Sequence, residues 1–233
     1  MARMLGVLGG MGPLASAEFM RRLTLLTPAG RDQDHVPAVL WSDPRVPDRI
    51  AGHRGAGESP LPAMLRGVRG LQAAGCGAIA IPCNTAHGWH EALQAGASVP
   101  VLHIVDAAAA ELARLGVTPG PVGLLGTAPT LEMRLYQDRL EPSGWRFIVP
   151  TPGEMEALVL PAIARVKTGA VAEAHAPLAE AARRLAGRGA GAVLLACTEL
   201  PLALGAGPAL AVPVCDTVDA LARAAIQWAR NGG

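Results

Sequence analysis

Lysine is almost missing from this chain: it occurs once, at Lys167, against 19 arginines in 233 residues. Aromatic residues make up only 3%, too few for a platform on which bases stack. Neither sign of charge dominates, with 20 basic and 19 acidic residues. There is no basic run either, so nucleic acid is excluded as a partner. No apolar stretch reaches the roughly 18 to 20 uninterrupted residues of a membrane-spanning helix. The four cysteines, Cys76, Cys83, Cys197 and Cys215, form no CxxC pair, which argues against a zinc site, and no metal is expected. A GxxxxGK[ST] phosphate loop is missing too. No signal-peptide pattern precedes the first strand-like segment, so the expected compartment is the cytoplasm, with the cysteines reduced.

What the chain does have is apolar residues, 51% of the total, arranged in short runs that alternate with helical periodicity. Strands are expected at Met4–Leu8, Val36–Trp41, Ala78–Pro82, Val101–Ile104, Pro121–Leu125, Arg146–Val149, Ala192–Ala196 and Val212–Cys215. Helices are expected at Ala15–Leu26, Leu61–Ala74, Thr85–Ala95, Val105–Leu115, Glu154–Lys167, Val171–Ala186 and Thr217–Arg230, with a loop and helix over Thr127–Leu140. Ser42–Pro60, rich in Pro, Gly and charge, reads as a long loop, a kind of segment that is often functional. Alternating elements with continuous apolar strands imply parallel sheets covered by helices, an α/β fold.

The two halves echo each other. Leu71–Cys83 aligns without gaps on Leu185–Cys197, an offset of 114, keeping the leucine, both glycines, an alanine and the final cysteine. Leu5-Gly6-Val7-Leu8-Gly9 matches Val122-Gly123-Leu124-Leu125-Gly126 at an offset of 117. Two matches in one order predict two similar domains, each a parallel sheet flanked by helices and pseudo-symmetric. The expected division is 1-100 plus 214-233 for the first domain and 101-213 for the second. Ligands of such sheets sit outside the carboxyl ends of the strands, so the site is expected in a cleft between the domains.

Cys83 and Cys197 each end an apolar strand and precede small polar residues, Asn84-Thr85 and Thr198-Glu199. A helix start at that place is expected to lower the thiol pKa and favour thiolate. One thiolate and one thiol on facing domains suit one kind of chemistry, in which a proton is removed from a carbon and another is returned to its opposite face. Cys76 precedes its strand and Cys215 has no counterpart in the repeat, so both read as structural. Gly10-Met11-Gly12-Pro13-Leu14-Ala15 fits G-x-G-x-x-A, but no acidic residue ends the second strand at the required distance. A glycine turn bringing backbone amides to a small anion is the better reading. Lys167 at a helix end reads first as a surface cation. His87 and His90 read as solvated or capping residues.

Three motifs, Gly9-Gly10-Met11-Gly12-Pro13, Pro82-Cys83-Asn84-Thr85-Ala86-His87 and Ala196-Cys197-Thr198-Glu199-Leu200-Pro201, resemble the aspartate/glutamate racemase family, in particular its aspartate racemase branch. The resemblance runs from end to end. It implies a two-base amino-acid racemase that needs no cofactor, built as two α/β domains with the C-terminal helix returning to the first, and a homodimer. It implies Cys83 and Cys197 as the catalytic pair, with an amino acid as the small-molecule partner. Met11, Asn84, Thr85, Thr127, Thr198 and Glu199 are the implied substrate contacts. Arg49, within Val46-Pro47-Asp48-Arg49, and Lys167 are the residues implied for a side-chain carboxylate, which points to aspartate, with glutamate or broader specificity as variants. Ile50 departs from the threonine usual after that arginine. Other readings are a different two-cysteine reaction on the same scaffold, such as maleate isomerisation or decarboxylation, and a non-catalytic module for a small anion or dinucleotide.

Overall fold

The computed structural model describes residues 3–204 and 210–231. The chain forms two compact units, Met1–Ala107 with Val218–Gly233, and Ala108–Thr217.

The first unit carries β1 (Leu5–Gly9), α1 (Pro13–Leu26), β2 (Ala38–Ser42), α2 (Arg49–His53), α3 (Leu61–Ala73), β3 (Ala78–Ala80), α4 (His90–Ala95) and the start of α5 (Ile104–Arg114). Its parallel sheet has the order β2-β1-β3. The second unit carries β4 (Pro121–Gly126), α6 (Ala128–Glu132), α7 (Gln137–Leu140), β5 (Arg146–Ile148), α8 (Pro152–Glu154), α9 (Leu160–Lys167), α10 (Val171–Gly187), β6 (Val193–Ala196), α11 (Leu200–Leu204) and β7 (Val214–Asp216). Its sheet runs β5-β4-β6-β7, again parallel. All but the first residue of α12 (Thr217–Arg230) belongs to the first unit. No described helix is long and apolar enough to cross a membrane.

The repeat extends to register. Gly6 pairs with Ile79 in the first unit and Gly123 with Val193 in the second, and these are the positions that the two sequence offsets equate. Each glycine lets a helix lie close to its strand. A Cβ on Gly6 would come 3.1 Å from Cβ of Leu71, and one on Gly123 would come 2.8 Å from Cβ of Leu185. Leu71 and Leu185 are themselves counterparts, so one device packs α3 on β1 and α10 on β4. Each unit has its own apolar cluster, around Leu8, Met64, Val68, Leu71 and Ile79 in one and around Leu125, Val166, Leu178, Leu185 and Val193 in the other.

Several elements depart from expectation. Val101–Ile104 is no full strand: only Val101 bridges to Ile79. The reason is competition from side chains. Leu102 and Pro100 bond Ile79 on the sheet side, but on the other side the Val101 amide donates to Gln94 and its carbonyl faces His90 Nε2 at 2.8 Å. The outward backbone is thus satisfied without a further strand. Ser42–Pro60 contains a helix, α2, because the Asp48 carboxylate accepts the Ile50 and Ala51 amides. Such an N-cap typically contributes about 1 kcal/mol. Thr85–Ala95 divides into a 3-10 turn (Thr85–Trp89) and α4. Glu154–Lys167 divides into α8, a wide π turn (Met155–Val159) and α9. Pro161 follows two residues after the wide turn; it has no amide hydrogen to bond the Ala157 carbonyl within that turn, and its ring crowds that carbonyl. The unit boundaries fall at 107/108 and 217/218, not at 100/101 and 213/214, because Val101 joins β3 and Val214–Asp216 pairs with β6.

Candidate active site

In each unit the cysteine turn lies at the carboxyl end of a strand, beside the turn that follows the neighbouring strand. In the first unit β1 leads into Gly10-Met11-Gly12 and β3 into Ile81-Pro82-Cys83. Gly10 has φ +89°, and a Cβ there would lie 2.4 Å from the backbone of Asp43, so only glycine fits. Its amide donates to the Ser16 hydroxyl, which donates to the Gly12 carbonyl. Met11 is buried and belongs to the same cluster as Cys83. Arg49 is half-buried and spends its guanidinium on backbone: Nη1 donates to the carbonyls of Val46 and Pro47, and Nη2 to that of Met11, all at 3.2 Å. Arg49 thus ties the α2 loop to the first turn, bringing together two of the expected site residues.

Cys83, Asn84 and Thr85 are buried. The Cys83 amide folds back on the Ile81 carbonyl at 2.8 Å, and the His87 amide bonds the Asn84 carbonyl at 3.0 Å. His87 is neither solvated nor a simple cap. It is 3% exposed, with Nδ1 2.9 Å from the Cys83 carbonyl and Nε2 3.4 Å from that of Leu102. His90 stacks on it, with centroids 5.9 Å apart, and His103 packs against both. Among the described residues no group of His, Cys, Asp or Glu is arranged to hold a metal ion.

In the second unit β4 and β6 pair through Gly126 and Ala196, so Thr127 and Cys197 come next on their strands. Thr127 caps α6: its hydroxyl accepts the Thr130 amide and lies 2.9 Å from the Thr130 hydroxyl. Thr198 and Glu199 are buried with Cys197. The Cys197 thiol donates to the Glu199 carboxylate, Sγ–Oε2 3.0 Å. Thr198 Oγ1 donates to the same oxygen at 3.4 Å.

The expected lowering of the thiol pKa does not hold at Cys197. Burial, foremost, pushes it well above the usual thiol range, and the neighbouring Glu199 carboxylate pushes in the same direction. Desolvation of the charged form outweighs the short α11 that follows. Lys167, exposed at the end of α9, pulls the other way but weakly. Tyr136 is a neighbour that sequence reasoning missed. It is fully buried, and burial together with Cys215 and Cys197 raises its pKa well above the phenol range. The one available signal was its rarity, since it is the chain's only tyrosine.

The arrangement offers two buried thiols, each in a turn that a glycine or threonine turn adjoins, with carboxylate and hydroxyl groups beside one of them.

Comparison with known proteins gives the family. The model of the Asp/Glu/hydantoin racemase family matches residues 8–225. The chain is similar to the aspartate racemase of Picrophilus torridus, at 32% identity and TM-score 0.85 over 97% of this chain and 94% of that one. It is also similar to an aspartate racemase homologue from Pyrococcus horikoshii OT3, at 25% identity and TM-score 0.78 over 98% and 99%. Among curated proteins it is 33% identical, over 154 residues, to the broad specificity amino-acid racemase RacX of Bacillus subtilis (strain 168). That alignment covers 62% of this chain and 63% of the relative's length. With two like sheets, a cysteine closing the same strand of each, and a family model spanning both, this chain belongs to the Asp/Glu/hydantoin racemase family.

Proposed function

We propose that the chain is a PLP-independent amino-acid racemase in which Cys83 and Cys197 act on opposite faces of one Cα, with aspartate as the preferred substrate. The observation that carries the reading is the equivalence of the two thiols: each follows the strand that pairs in the same register with its unit's first strand. One sulfur, as thiolate, takes the α-proton and leaves a planar carbanion. The other, as thiol, gives its proton to the opposite face, so one S–H is made as the other is broken. Burial and Glu199 keep Cys197 protonated, so Cys197 starts as the donor. In the opposite direction the roles exchange: the Cys197 thiolate left by one turnover takes the α-proton, and the Cys83 thiol formed in that turnover gives its own.

Substrate recognition in this reading falls to Met11, Asn84, Thr85, Thr127, Thr198 and Glu199 around Cα, and to Arg49 and Lys167 at the side chain. Arg49 uses only part of its five-donor fork on carbonyls, which leaves donors for a carboxylate. The protein is further expected to be a cytoplasmic homodimer. Sedimentation equilibrium at the monomer mass would count against the dimer.

The deciding experiment is incubation with L-aspartate in D2O without PLP. Deuterium at Cα and appearance of the D-isomer are expected. No exchange with aspartate, glutamate or any other amino acid would overturn the reading. Cys83→Ser and Cys197→Ser are each expected to abolish inversion in both directions, and full activity in either would remove that residue from the mechanism.

A further inference from the structure

The Cys83 turn is held by a side chain to which the reaction above gives no role. His87 lies a single turn beyond Cys83, buried, and reaches two carbonyls at once: that of Cys83 at 2.9 Å through Nδ1 and that of Leu102 at 3.4 Å through Nε2. A carbonyl can only accept, so Nδ1 carries the hydrogen in the shorter bond. The carbonyl it grips heads the peptide plane running from Cys83 to Asn84. Rotation of that plane would swing the Cys83 Cα–Cβ bond and re-aim the thiol. On its amide side Cys83 is already fixed to the Ile81 carbonyl.

His87 is itself braced. His90 stacks on its ring with an interplanar angle of 10° and bonds the Val101 carbonyl, next to the Leu102 carbonyl that His87 faces. The 101–102 segment is bonded in turn to Ile79 on β3. The result is a closed frame: β3, the cysteine turn, His87, and the 101–102 segment back to β3.

We propose that His87 is the positioning residue of the Cys83 thiol, its Nδ1–H holding the Cys83 carbonyl and thereby the direction of the sulfur. The inference rests on Cys83 being one of the two proton-transfer groups. A misplacement of about 1 Å at a reacting group costs on the order of 100-fold in rate.

The test compares His87→Leu, which removes the donor, with His87→Asn, whose side-chain amide can donate from near the Nδ1 position. With aspartate as substrate, His87→Leu is expected to lose roughly 10- to 100-fold in kcat with little change in KM, and His87→Asn to recover most of it. Enantiomers have equal free energies, so kcat/KM must fall alike in both directions. The α-deuterium isotope effect need not: it is expected to rise only for the enantiomer whose proton Cys83 removes. Equal kcat in His87→Leu and wild type would overturn the proposal. So would equal losses in the Leu and Asn variants, or an isotope effect that rises alike for both enantiomers.

A second readout is independent of catalysis. Iodoacetamide labelling, followed by mass spectrometry of the separate cysteine peptides, is expected to show a changed Cys83 rate in His87→Leu, restored in His87→Asn, while Cys197 keeps its rate in all three. This readout stands even if no amino acid is racemised. An unchanged Cys83 rate, or parallel changes at both cysteines, would refute His87 as the positioning group. If His87→Leu does not fold, His87→Gln takes its place, since its longer amide reaches towards Leu102 rather than Cys83. Full retention of rate and labelling in that variant would equally overturn the proposal.

Discussion

Single residues set the acid–base behaviour. Cys197 and Tyr136 are both buried with pKa values raised well above their usual ranges. Below about pH 8.5 a thiol and a phenol are neutral both in the folded and in the unfolded chain, so neither makes stability depend on pH there. Above it the unfolded chain releases the thiol proton, and above about 10 the phenol proton, while the folded chain keeps both. The folded state then binds more protons, so stability falls as pH rises, by about 1.4 kcal/mol per pH unit for each group fully ionised in the unfolded chain. Urea denaturation between pH 8 and pH 11 in wild type, Cys197→Ala and Tyr136→Phe should show this loss, with a shallower slope in each variant. Identical slopes would mean that neither group stays protonated in the fold. Glu199→Gln should let Cys197 ionise at lower pH, read as thiolate absorbance against a Cys197→Ala control, although burial will still hold it above an exposed thiol. Arg49 gives the remaining prediction at this scale. Arg49→Ala should reduce turnover of aspartate much more than that of alanine. Equal losses would mean that Arg49 only ties its loop to Met11.

Elements are positioned by what their neighbours leave room for. Gly6 and Gly123 let α3 and α10 lie on their strands, the second more tightly than the first. Gly123→Ala should destabilise the protein by roughly 1–3 kcal/mol through overpacking. Leu185→Gly in the same chain, which removes the Cβ that a side chain at 123 would meet at 2.8 Å, should relieve part of that cost, which a double-mutant cycle by urea denaturation would measure. Strictly additive effects would show that the glycine is not what sets the approach of α10 to β4. The glycines were legible in the sequence as members of the repeat. Their purpose was not, since the leucine each one faces lies some 60 positions away and only folding brings them together. The Val101–Ile104 segment shows the opposite failure. Its apolar run has strand character, yet Gln94 and His90 occupy the backbone groups that a longer strand would have used.

At the scale of the whole molecule, each unit owns a core and a thiol. Ala108–Thr217 is one continuous stretch with its own apolar cluster. Expressed alone, it should unfold cooperatively by circular dichroism yet invert no amino acid, because it holds Cys197 without Cys83. Inversion by this segment alone would rule out the two-thiol reaction. The first unit is different in kind, since it is completed only by the C-terminal helix. Arg3 lies over the Trp228 ring at 4.2 Å, and Arg22 pairs with Asp219 at 3.1 Å.

By itself the sequence determined the α/β class, the repeat and the two cysteines, because apolar periodicity and the order of motifs are local properties of the chain. Fold and family follow from those. Tertiary structure alone decided the upward push on the Cys197 pKa, the engagement of Arg49 with Met11, and the burial of His87 against the Cys83 carbonyl. Each depends on how much water a group loses and which distant backbone comes to face it, and neither is written in the spacing of residues. The helix start that follows a cysteine is visible in the sequence. The burial that outweighs it is not.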